Sequence, residues 1–421
     1  MYQEKHLSQQ FLSANRGTRL PLGSKGAPLC RSSQGAFSLK DEEVSLPCAV
    51  VRRSAIESNI DWMQTFAKQH NVELCPHGKT TMTPELFAKQ LEAGAWGLTV
   101  ATPAQAEIAV MAGAQRIIIA NQVVGIVNMQ MVINLIQQHG VNIFICVDSV
   151  ANVKAWQAQA KEFGVTVPLF IELGVKGGRC GCRTEEQVKQ LAQLIMASDA
   201  LELHGIEVYE GVISGEHAEQ NIRQFLCFAV SILLELKQIY ALAQPIISGA
   251  GSAWYDVVAE EFSQLQNITA VIRPGCYAVH DTGIYQMAQD KVQKRARING
   301  GIACDLAGDL VSSLEIWAYV ISVPEPSKAV VGLGKRDVAF DAGLPKIERV
   351  IRDGKEIAIK GLVASNVMDQ HLFVDMPQEV LQVGDILVMS TSHPCLTFDK
   401  WRFVGVINQD DVITHWMETY F

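Results

Sequence analysis

Between residues 72 and 275 the sequence alternates regularly between short β-rich runs and helical stretches, and this alternation constrains the fold more than any other feature. Eight β-rich runs are present, from VELCP at 72–76 to ITAVIRPG at 268–275. Eight strands that alternate with helices over about 200–250 residues are typical of a (β/α)8 barrel of the TIM type. A doubly wound open sheet is the alternative. We favour the barrel because the count is eight and no GxGxxG follows the first strand.

Helix starts within this region follow one pattern. Thr83 and Thr102 each precede a proline, Pro84 and Pro103, which suits an N-cap residue followed by the first helical position. Thr184 precedes two glutamates, which favour the positive end of a helix dipole. These signals predict helices after the first, second and fifth strands.

The pattern of the sequence changes after about residue 290. Runs such as SSLEIWAYVISVPEP, DVAFDAG, EIAIKGLVAS, QHLFVDMP, DILVMSTS and WRFVGVI are short, β-rich and separated by Gly, Pro and Asp turns. We therefore predict an all-β domain at 291–421 after a barrel at 47–290. We expect the N-terminal segment, 1–46, to pack on the β-domain.

Composition limits the possible partners. The net charge of −9 and the lack of a long basic run argue against nucleic acid or an anionic membrane as partner. The uncharged stretch between Arg116 and Asp148 is punctuated by Asn and Gln, so a membrane-spanning helix is not expected there. The ten cysteines form no CxxC pair and the N-terminus has no apolar core, which together predict a cytoplasmic protein with reduced thiols.

Residues with catalytic potential follow the predicted strands, where barrel enzymes place their chemistry. Lys79 follows strand 1, Arg179 follows strand 5 and Tyr209 ends strand 6. Two glycine-containing loops, SGAGS at 248–252 and RPGCY at 273–277, follow strands 7 and 8, where backbone N–H groups can bind phosphate. Together with the lysine they predict pyridoxal phosphate, although either loop alone is as consistent with a simple turn.

A second signal is the segment TSHPCLTFDKW at 391–401. In an extended strand His393 and Cys395 would point the same way, and imidazole with thiolate suits zinc. Two ligands make half a site, which a catalytic metal with open positions can use. A buried cysteine beside a strand-edge histidine is the alternative interpretation.

The segment CPHGKTTMTPELFAKQLEAGAWGLTVATPAQAE resembles the N-terminal signature of fold-type III pyridoxal-phosphate enzymes related to alanine racemase. It is most similar to the branch of D-serine dehydratases and D-threonine aldolases, in which a proline and a histidine precede the Schiff-base lysine and a threonine. Pro76, His77, Lys79 and Thr80 match this pattern. The resemblance covers nearly the whole chain.

Two further features of the resemblance bear on the reaction. Thr81 and Met82 replace the His-Lys that often follows in the family, as in a bacterial subgroup of low-specificity D-amino-acid deaminases and D-threonine dehydratases. Dehydratases of the branch carry His-x-Cys with zinc, whereas aldolases carry His-x-Asp with manganese or a similar ion. His393-Pro394-Cys395 therefore implies zinc, or another divalent metal, and β-elimination.

The resemblance implies a D-3-hydroxyamino-acid dehydratase that converts D-threonine or D-serine to a 2-oxo acid and ammonia. Lys79 would hold the cofactor and take the α-proton, and Tyr209 would support catalysis. The implied cofactor-binding residues are Lys79, His77, Arg179, Tyr209, Gly251, Ser252, Gly275, Cys276 and Tyr277; the metal ligands are His393 and Cys395. A homodimer is also implied, with sites between the barrel of one chain and the β-domain of another. The alternatives are a metal-dependent D-threonine aldolase, an amino-acid racemase and a non-catalytic cofactor-binding protein.

Overall fold

The computed structural model describes residues 19–378 and 380–421. Two strands, β1 (Gln34–Ser38) and β2 (Cys48–Arg52), precede a parallel sheet of eight strands. Those eight are β3 (Glu73–Leu74), β4 (Leu98–Val100), β5 (Arg116–Gln122), β6 (Asn142–Val147), β7 (Val167–Leu173), β8 (Leu201–Val208), β9 (Ile246–Gly249) and β10 (Thr269–Ile272).

The eight strands form a closed ring. Their hydrogen-bonded order runs β3-β10-β9-β8-β7-β6-β5-β4. The remaining gap, between β3 and β4, is bridged by backbone N–H groups of Trp96 and Thr99, which donate to the carbonyls of Leu74 (2.7 Å) and Pro76 (2.8 Å). The predicted (β/α)8 barrel is therefore confirmed, and the open-sheet alternative is not.

Helices alternate with the strands and cover the outside of the barrel. They are α1 (Arg53–Gln69), α2 (Pro84–Glu92), α3 (Pro103–Met111), α4 (Ile126–His139), α5 (Val150–Phe163), α6 (Glu185–Met196), α7 (Ala218–Tyr240), α8 (Tyr255–Phe262) and α9 (Ile284–Asn299). In the described part of the chain, none of the helices has both the length and the apolar character that crossing a membrane requires.

The predicted helix starts agree with the structure in position, and two of the three threonines act as caps. The Thr102 hydroxyl accepts the backbone N–H of Gln105, and Thr184 forms a complete capping box with Gln187. Thr83 precedes α2 as expected, but its hydroxyl donates to the carbonyl of Thr81 at 2.8 Å instead of capping the helix.

Side-chain alternation along the strands separates two environments. On β6, Ile145 and Val147 pack outward against the helices, whereas Phe144 lies in the inner cluster of the barrel. The same period of two turns Glu172 on β7 and Glu207 on β8 toward the barrel axis. Polar groups therefore form the inner layer near the carboxyl ends of the strands.

The second sheet has eleven strands. It contains β1 and β2 together with β11 (Leu314–Glu325), β12 (Lys328–Val331), β13 (Lys346–Arg352), β14 (Lys355–Ile357), β15 (Val363–Val367), β16 (Leu372–Asp375), β17 (Ile386–Ser390), β18 (Phe403–Ile407) and β19 (Val412–Glu418). This is the all-β C-terminal region that the sequence predicts, and β1 pairs with its last strand.

Two details of the sequence prediction are wrong. The strand β2 pairs with β11 and β18, so it belongs to the second sheet and not to a barrel that starts at residue 47. The run DVAFDAG at 337–343 is not a strand but an irregular turn. Val338 and Ala339 are fully buried, so burial and not strand pairing explains these two apolar residues, whereas Phe340 is exposed.

Candidate active site

Lys79 lies at the carboxyl end of the barrel strands. The parallel pairing of β3 with β10 continues past the strand through a bond from the His77 N–H to the Pro274 carbonyl, at 3.2 Å. A single 3-10 turn, Gly78–Thr80, then carries the lysine. This places Lys79 where the barrel is open and where the other strand ends converge.

The environment of Lys79 favours its neutral form. The side chain is exposed at the open end, yet nearby protein atoms desolvate its amine, and this desolvation is the largest cause that lowers its pKa. The Cys395 thiolate opposes the shift, and the guanidinium of Arg179 adds to it. The neutral amine is the form that acts as a nucleophile or a base, and a lowered pKa increases its population.

Tyr209 and Arg179, predicted separately after strands 6 and 5, meet in the structure. The Arg179 guanidinium carbon lies 4.1 Å from the centre of the Tyr209 ring. Burial raises the pKa of Tyr209, so its phenol remains protonated. A Cβ added to Gly251 would lie 3.0 Å from the same ring, which explains a glycine at that position.

The two predicted phosphate loops lie side by side. The hydroxyl of Ser252 accepts the backbone N–H groups of Gly275 (3.2 Å) and Cys276 (3.1 Å). These two N–H groups therefore point to one position, as a phosphate requires. The N–H of Gly251 donates to the buried carboxylate of Glu210 at 3.0 Å, and its part in binding a phosphate stays a prediction.

The remaining predicted cofactor residues have mixed surroundings. The Tyr277 side chain is buried, and its hydroxyl accepts the Gln90 amide at 2.9 Å, so only its backbone is available to a cofactor. The Nδ1 atom of His77 is buried and has no hydrogen-bond partner within residues 19–378 and 380–421. Burial lowers the pKa of His77 well below its usual value, and Lys79 and Arg273 lower it further.

His393 and Cys395 come together, although not in a strand. The strand β17 ends at Ser390, and Cys395 begins a short helix, α10 (Cys395–Phe398), so the pair lies in a strand-to-helix turn. The Nδ1 atom of His393 lies 2.7 Å from a carboxylate oxygen of Asp341. This bond fixes the ring and leaves Nε2 for a metal, which is the usual support of a metal-binding histidine.

The pair is in direct contact with the barrel of the same chain. The Cys395 sulfur lies 3.5 Å from the Cys276 sulfur and 3.6 Å from the Thr80 hydroxyl. Thr80 is the residue after Lys79, so the metal motif and the lysine are close neighbours within one chain. The β-domain thus contributes to this site within the chain itself, and a homodimer with sites shared between chains stays a prediction.

Charge in this contact is concentrated on the Cys395 sulfur. Hydrogen bonds from Cys276, His393 and Thr80 lower the pKa of Cys395 well below its usual value against the opposing effect of burial. The bonds of His393 to Cys395 and Asp341 raise its pKa to about 9. A thiolate beside an imidazole that a carboxylate orients is a donor set that fits zinc.

Sequence reasoning missed several residues of this region. Glu172, Glu207 and Cys146 have donor atoms all within 4.8 Å of one another, and Glu207 forms a short ion pair with the buried Arg273. Burial and Glu207 raise the pKa of Glu172 to about 7. Charged residues within otherwise apolar strands, as in FIEL and IEVY, are the signal that could have found them.

The structure fits the cofactor that the sequence predicts. Lys79 supplies an amine with a lowered pKa, and the N–H pair of Gly275 and Cys276 supplies a place for a phosphate. The guanidinium of Arg179 and the ring of Tyr209, which follow β7 and β8, contact each other at the same open end of the barrel. An aldehyde that carries a phosphate, held by a lysine, requires this combination.

These features define the class of barrel enzymes that bind pyridoxal phosphate through a lysine after the first strand. Residues 51–281, more than half of the chain, match the family model described as "Alanine racemase, N-terminal domain". Residues 313–407 match a second model, "Putative serine dehydratase domain". The chain therefore belongs to the alanine-racemase-like, fold-type III family of pyridoxal-phosphate enzymes, in the branch with D-serine dehydratase-like domains.

Relatives with known activities cover nearly the whole chain. A D-threonine aldolase from Arthrobacter sp. is 26% identical over 97% of this chain and 98% of its own length. A 3-hydroxy-D-aspartate aldolase from Paracoccus denitrificans is 27% identical over 88% of this chain and 90% of its own.

Solved structures agree in fold. The D-threonine aldolase from Filomicrobium marinum superposes with a TM-score of 0.74 at 21% identity, over 91% of this chain and 97% of its own. The D-threo-3-hydroxyaspartate dehydratase from Delftia sp. HT23 gives 0.70 at 20% identity, over 91% of this chain and 100% of its own. Both members of this pair are lyases of 3-hydroxyamino acids by name.

Proposed function

We propose that this protein is a dehydratase of D-3-hydroxyamino acids that depends on pyridoxal phosphate and zinc. It converts D-threonine or D-serine to a 2-oxo acid and ammonia. The observation that carries the proposal is the contact of the His393–Cys395 pair with Thr80, one residue from Lys79. A site for a soft metal thus lies beside the lysine of a cofactor barrel.

Lys79 is the residue that we assign to removal of the α-proton. A base must be neutral, and desolvation together with Arg179 keeps the pKa of Lys79 below that of a free lysine. Pyridoxal phosphate, when bound, supplies the electron sink that makes this proton acidic enough to be removed. Tyr209 and Arg179 would hold the cofactor ring, and Ser252, Gly275 and Cys276 would hold its phosphate.

His393 and Cys395 are the residues that we assign to the metal. Zinc, when bound, supplies a Lewis acid for the substrate's β-hydroxyl group, which is otherwise a poor leaving group. The Asp341 carboxylate orients the imidazole, and Thr80 orients the thiolate. A solved structure of a D-threo-3-hydroxyaspartate dehydratase in which a cysteine is replaced by alanine is in a metal-free form, which is consistent with a cysteine as metal ligand.

Tyr285 is the residue that we assign to protonation of the departing hydroxide. In elimination, an acid donates a proton to the departing hydroxide. In aldol cleavage, a base removes the proton of the β-hydroxyl. Burial, with Cys276 and Cys395 nearby, raises the pKa of Tyr285, so this phenol keeps its proton. Its ring lies 6.1 Å from that of His393, centre to centre.

Aldol cleavage is the second candidate, because two relatives that cover most of the chain are aldolases by name. It shares the binding of the substrate amine to the cofactor. Aldol cleavage would then remove the β-hydroxyl proton and break the Cα–Cβ bond, whereas elimination removes the α-proton and breaks the Cβ–O bond. An aldolase would produce glycine and acetaldehyde from D-threonine. Racemisation needs no leaving group and gives the metal pair no task.

A product assay with the purified holoenzyme tests the proposal. D-Threonine should yield 2-oxobutanoate and ammonia, and L-threonine should not react, since one lysine reaches one face of the cofactor. 3-Hydroxy-D-aspartate is included because relatives act on it by name. Glycine and acetaldehyde as the main products would instead establish the aldolase.

A chelator arm tests the metal in the same assay. EDTA should abolish elimination from D-serine, whereas β-chloro-D-alanine, which has a better leaving group, should depend much less on metal. Elimination from D-serine at the full rate in the metal-depleted enzyme would show that His393 and Cys395 serve another purpose.

We further infer a cytoplasmic homodimer. All ten cysteines, which lie in the described part of the chain, are free thiols, as a reducing compartment allows. Sedimentation equilibrium of the holoenzyme should give about twice the chain mass of 46.2 kDa. A monomer at all concentrations would contradict the dimer.

A further inference from the structure

Cys276 is a buried thiol whose position the proposed phosphate role does not explain. Its backbone N–H points to Ser252, but its sulfur points to the other side, 3.5 Å from the Cys395 sulfur. The Thr80 hydroxyl lies 3.6 Å from the Cys276 sulfur as well. One residue thus contacts both the phosphate position and the metal motif.

Catalytic zinc sites usually hold the ion with three protein ligands and leave a further position open for water or substrate. His393 and Cys395 supply two. A third protein ligand would come from another part of the chain, and a sulfur or nitrogen donor is preferred. Cys276 supplies a sulfur in direct contact with one of the two ligands.

We propose that Cys276 is the third protein ligand of the metal that His393 and Cys395 bind. The inference rests on the proposed metal role of that pair and adds a ligand to it. The site would then be His-Cys-Cys, with an open position for the substrate. Its ligands come from the end of the eighth barrel strand and from the β-domain, so the metal would join the two domains.

The observed spacing suits this role. Two sulfurs that are each about 2.3 Å from one zinc ion lie about 3.8 Å apart at the tetrahedral angle. The separation of 3.5 Å is close to that value, whereas a disulfide needs about 2.05 Å. The distance between the two sulfurs is therefore closer to that expected for two ligands of one zinc ion than to that of a disulfide bond.

Metal binding by all three ligands would require His393 and Cys276 to approach each other. Among the residues that the structure describes, the one trio with all donor atoms within 4.8 Å is Cys146, Glu172 and Glu207, so His393 must approach Cys276 for a shared ion. That other trio already has a cation, since Arg273 pairs with Glu207. It therefore does not compete as the metal site.

Charge and softness predict which metal is selected. Two thiolates neutralise a divalent cation, and thiolates select zinc over manganese and magnesium, which prefer oxygen ligands. A single cysteine with a histidine leaves more positions for water and oxygen donors. The third ligand thus implies a site that retains zinc in the presence of excess magnesium.

Zinc-edge X-ray absorption on the zinc-loaded wild-type holoenzyme counts the sulfurs at about 2.3 Å from the metal. Two sulfurs are expected. One sulfur would overturn the assignment of Cys276 while leaving the His393–Cys395 site intact. No sulfur would overturn both, so the two failures are distinguishable.

Variants provide an independent measurement. Cobalt bound to the full-length holoprotein should show thiolate charge-transfer absorption, and Cys276→Ser should lose about half of it, one of two thiolate bonds. The same variant should bind zinc at least about tenfold more weakly in competition with a chelator. Even residues that only hydrogen-bond to metal ligands change metal affinity by about 10–100-fold. Cys227→Ser, at an exposed position on α7, is the matched control and should change neither. Wild-type absorption and affinity in Cys276→Ser would refute the proposal.

Discussion

Asp341 offers a test of how the protein supports its metal ligand. Its carboxylate lies 2.7 Å from Nδ1 of His393, and the change Asp341→Asn keeps the shape and an acceptor oxygen but removes the charge. Residues that hydrogen-bond to metal ligands typically contribute about 10–100-fold to metal affinity. Zinc affinity should therefore fall without loss of the fold.

The exposure of the two side chains sets the expected size of the effect. His393 is 17% exposed, but Asp341 is 39% exposed, so solvent screens part of its charge. We therefore expect the lower end of the range, about a tenfold loss, which corresponds to about 1.4 kcal/mol. A loss as large as that of His393→Ala would mean that Asp341 itself binds the metal.

The assay is a competition between apo-protein and a chromophoric chelator for zinc, at a fixed pH. Asp369→Asn is the control, because this aspartate of the β-domain is exposed and pairs with the exposed Arg336 at 3.1 Å. The control should bind zinc like the wild type. Equal zinc affinity in Asp341→Asn and the wild type would refute the reasoning.

Three further outcomes are expected. Lys79→Ala should lose the yellow colour, the borohydride-fixed adduct seen by peptide mass spectrometry, and about 10²–10⁴-fold or more of the turnover. Arg179→Gln removes a charge that lowers the pKa of Lys79, whose amine is free once substrate is bound, so the rise of kcat with pH should move to higher pH. Asp411→Asn should lower the free energy of unfolding by about 3 kcal/mol, because this buried carboxylate pairs with Arg349 at 2.8 Å. The depressed pKa of Asp411 means that this stabilisation exists at neutral pH and is lost as the pH falls below about 4.

For each of these three variants, a specific result would disprove the prediction. An adduct on another lysine in Lys79→Ala would disprove the assignment. A pH profile of Arg179→Gln that does not move, or moves to lower pH, would show that Arg179 does not act on the base. The exposed Asp375 is the control for Asp411, and equal loss of stability in Asp375→Asn and Asp411→Asn would disprove the buried-pair argument.

The barrel was predictable from sequence because its signals are local. Each strand is a short apolar run, and the helix starts carry caps such as Thr102 and Thr184 whose chemistry acts within one turn. The position of Lys79 followed from strand order alone. The strand β2 was misplaced because an apolar run does not say which sheet it joins, and its partners lie more than 250 residues away.

The supporting residues of the site were not predictable in the same way. Asp341 lies in the turn 337–343, where its carboxylate has no local pattern, and it meets His393 through the fold, 52 positions along the chain. Glu210 was missed because a glutamate after a strand usually faces solvent, yet this one is buried and binds the loop after strand 7. Tertiary contacts of this kind leave no periodic signal.

Close packing, more than long side chains, sets the distance between the lysine and the metal motif. A Cβ on Gly275 would lie 2.6 Å from the His77 carbonyl and 2.8 Å from the Thr80 hydroxyl, so the loops after strands 1 and 8 touch at a point that only glycine allows. Thr80 in turn contacts Cys395. Because backbone atoms and short side chains make these contacts, the base and the metal ligands keep a fixed separation, as a reaction that uses both at adjacent carbons requires. A larger residue at 275 would therefore disturb the cofactor lysine and the metal pair together, even though it belongs to neither.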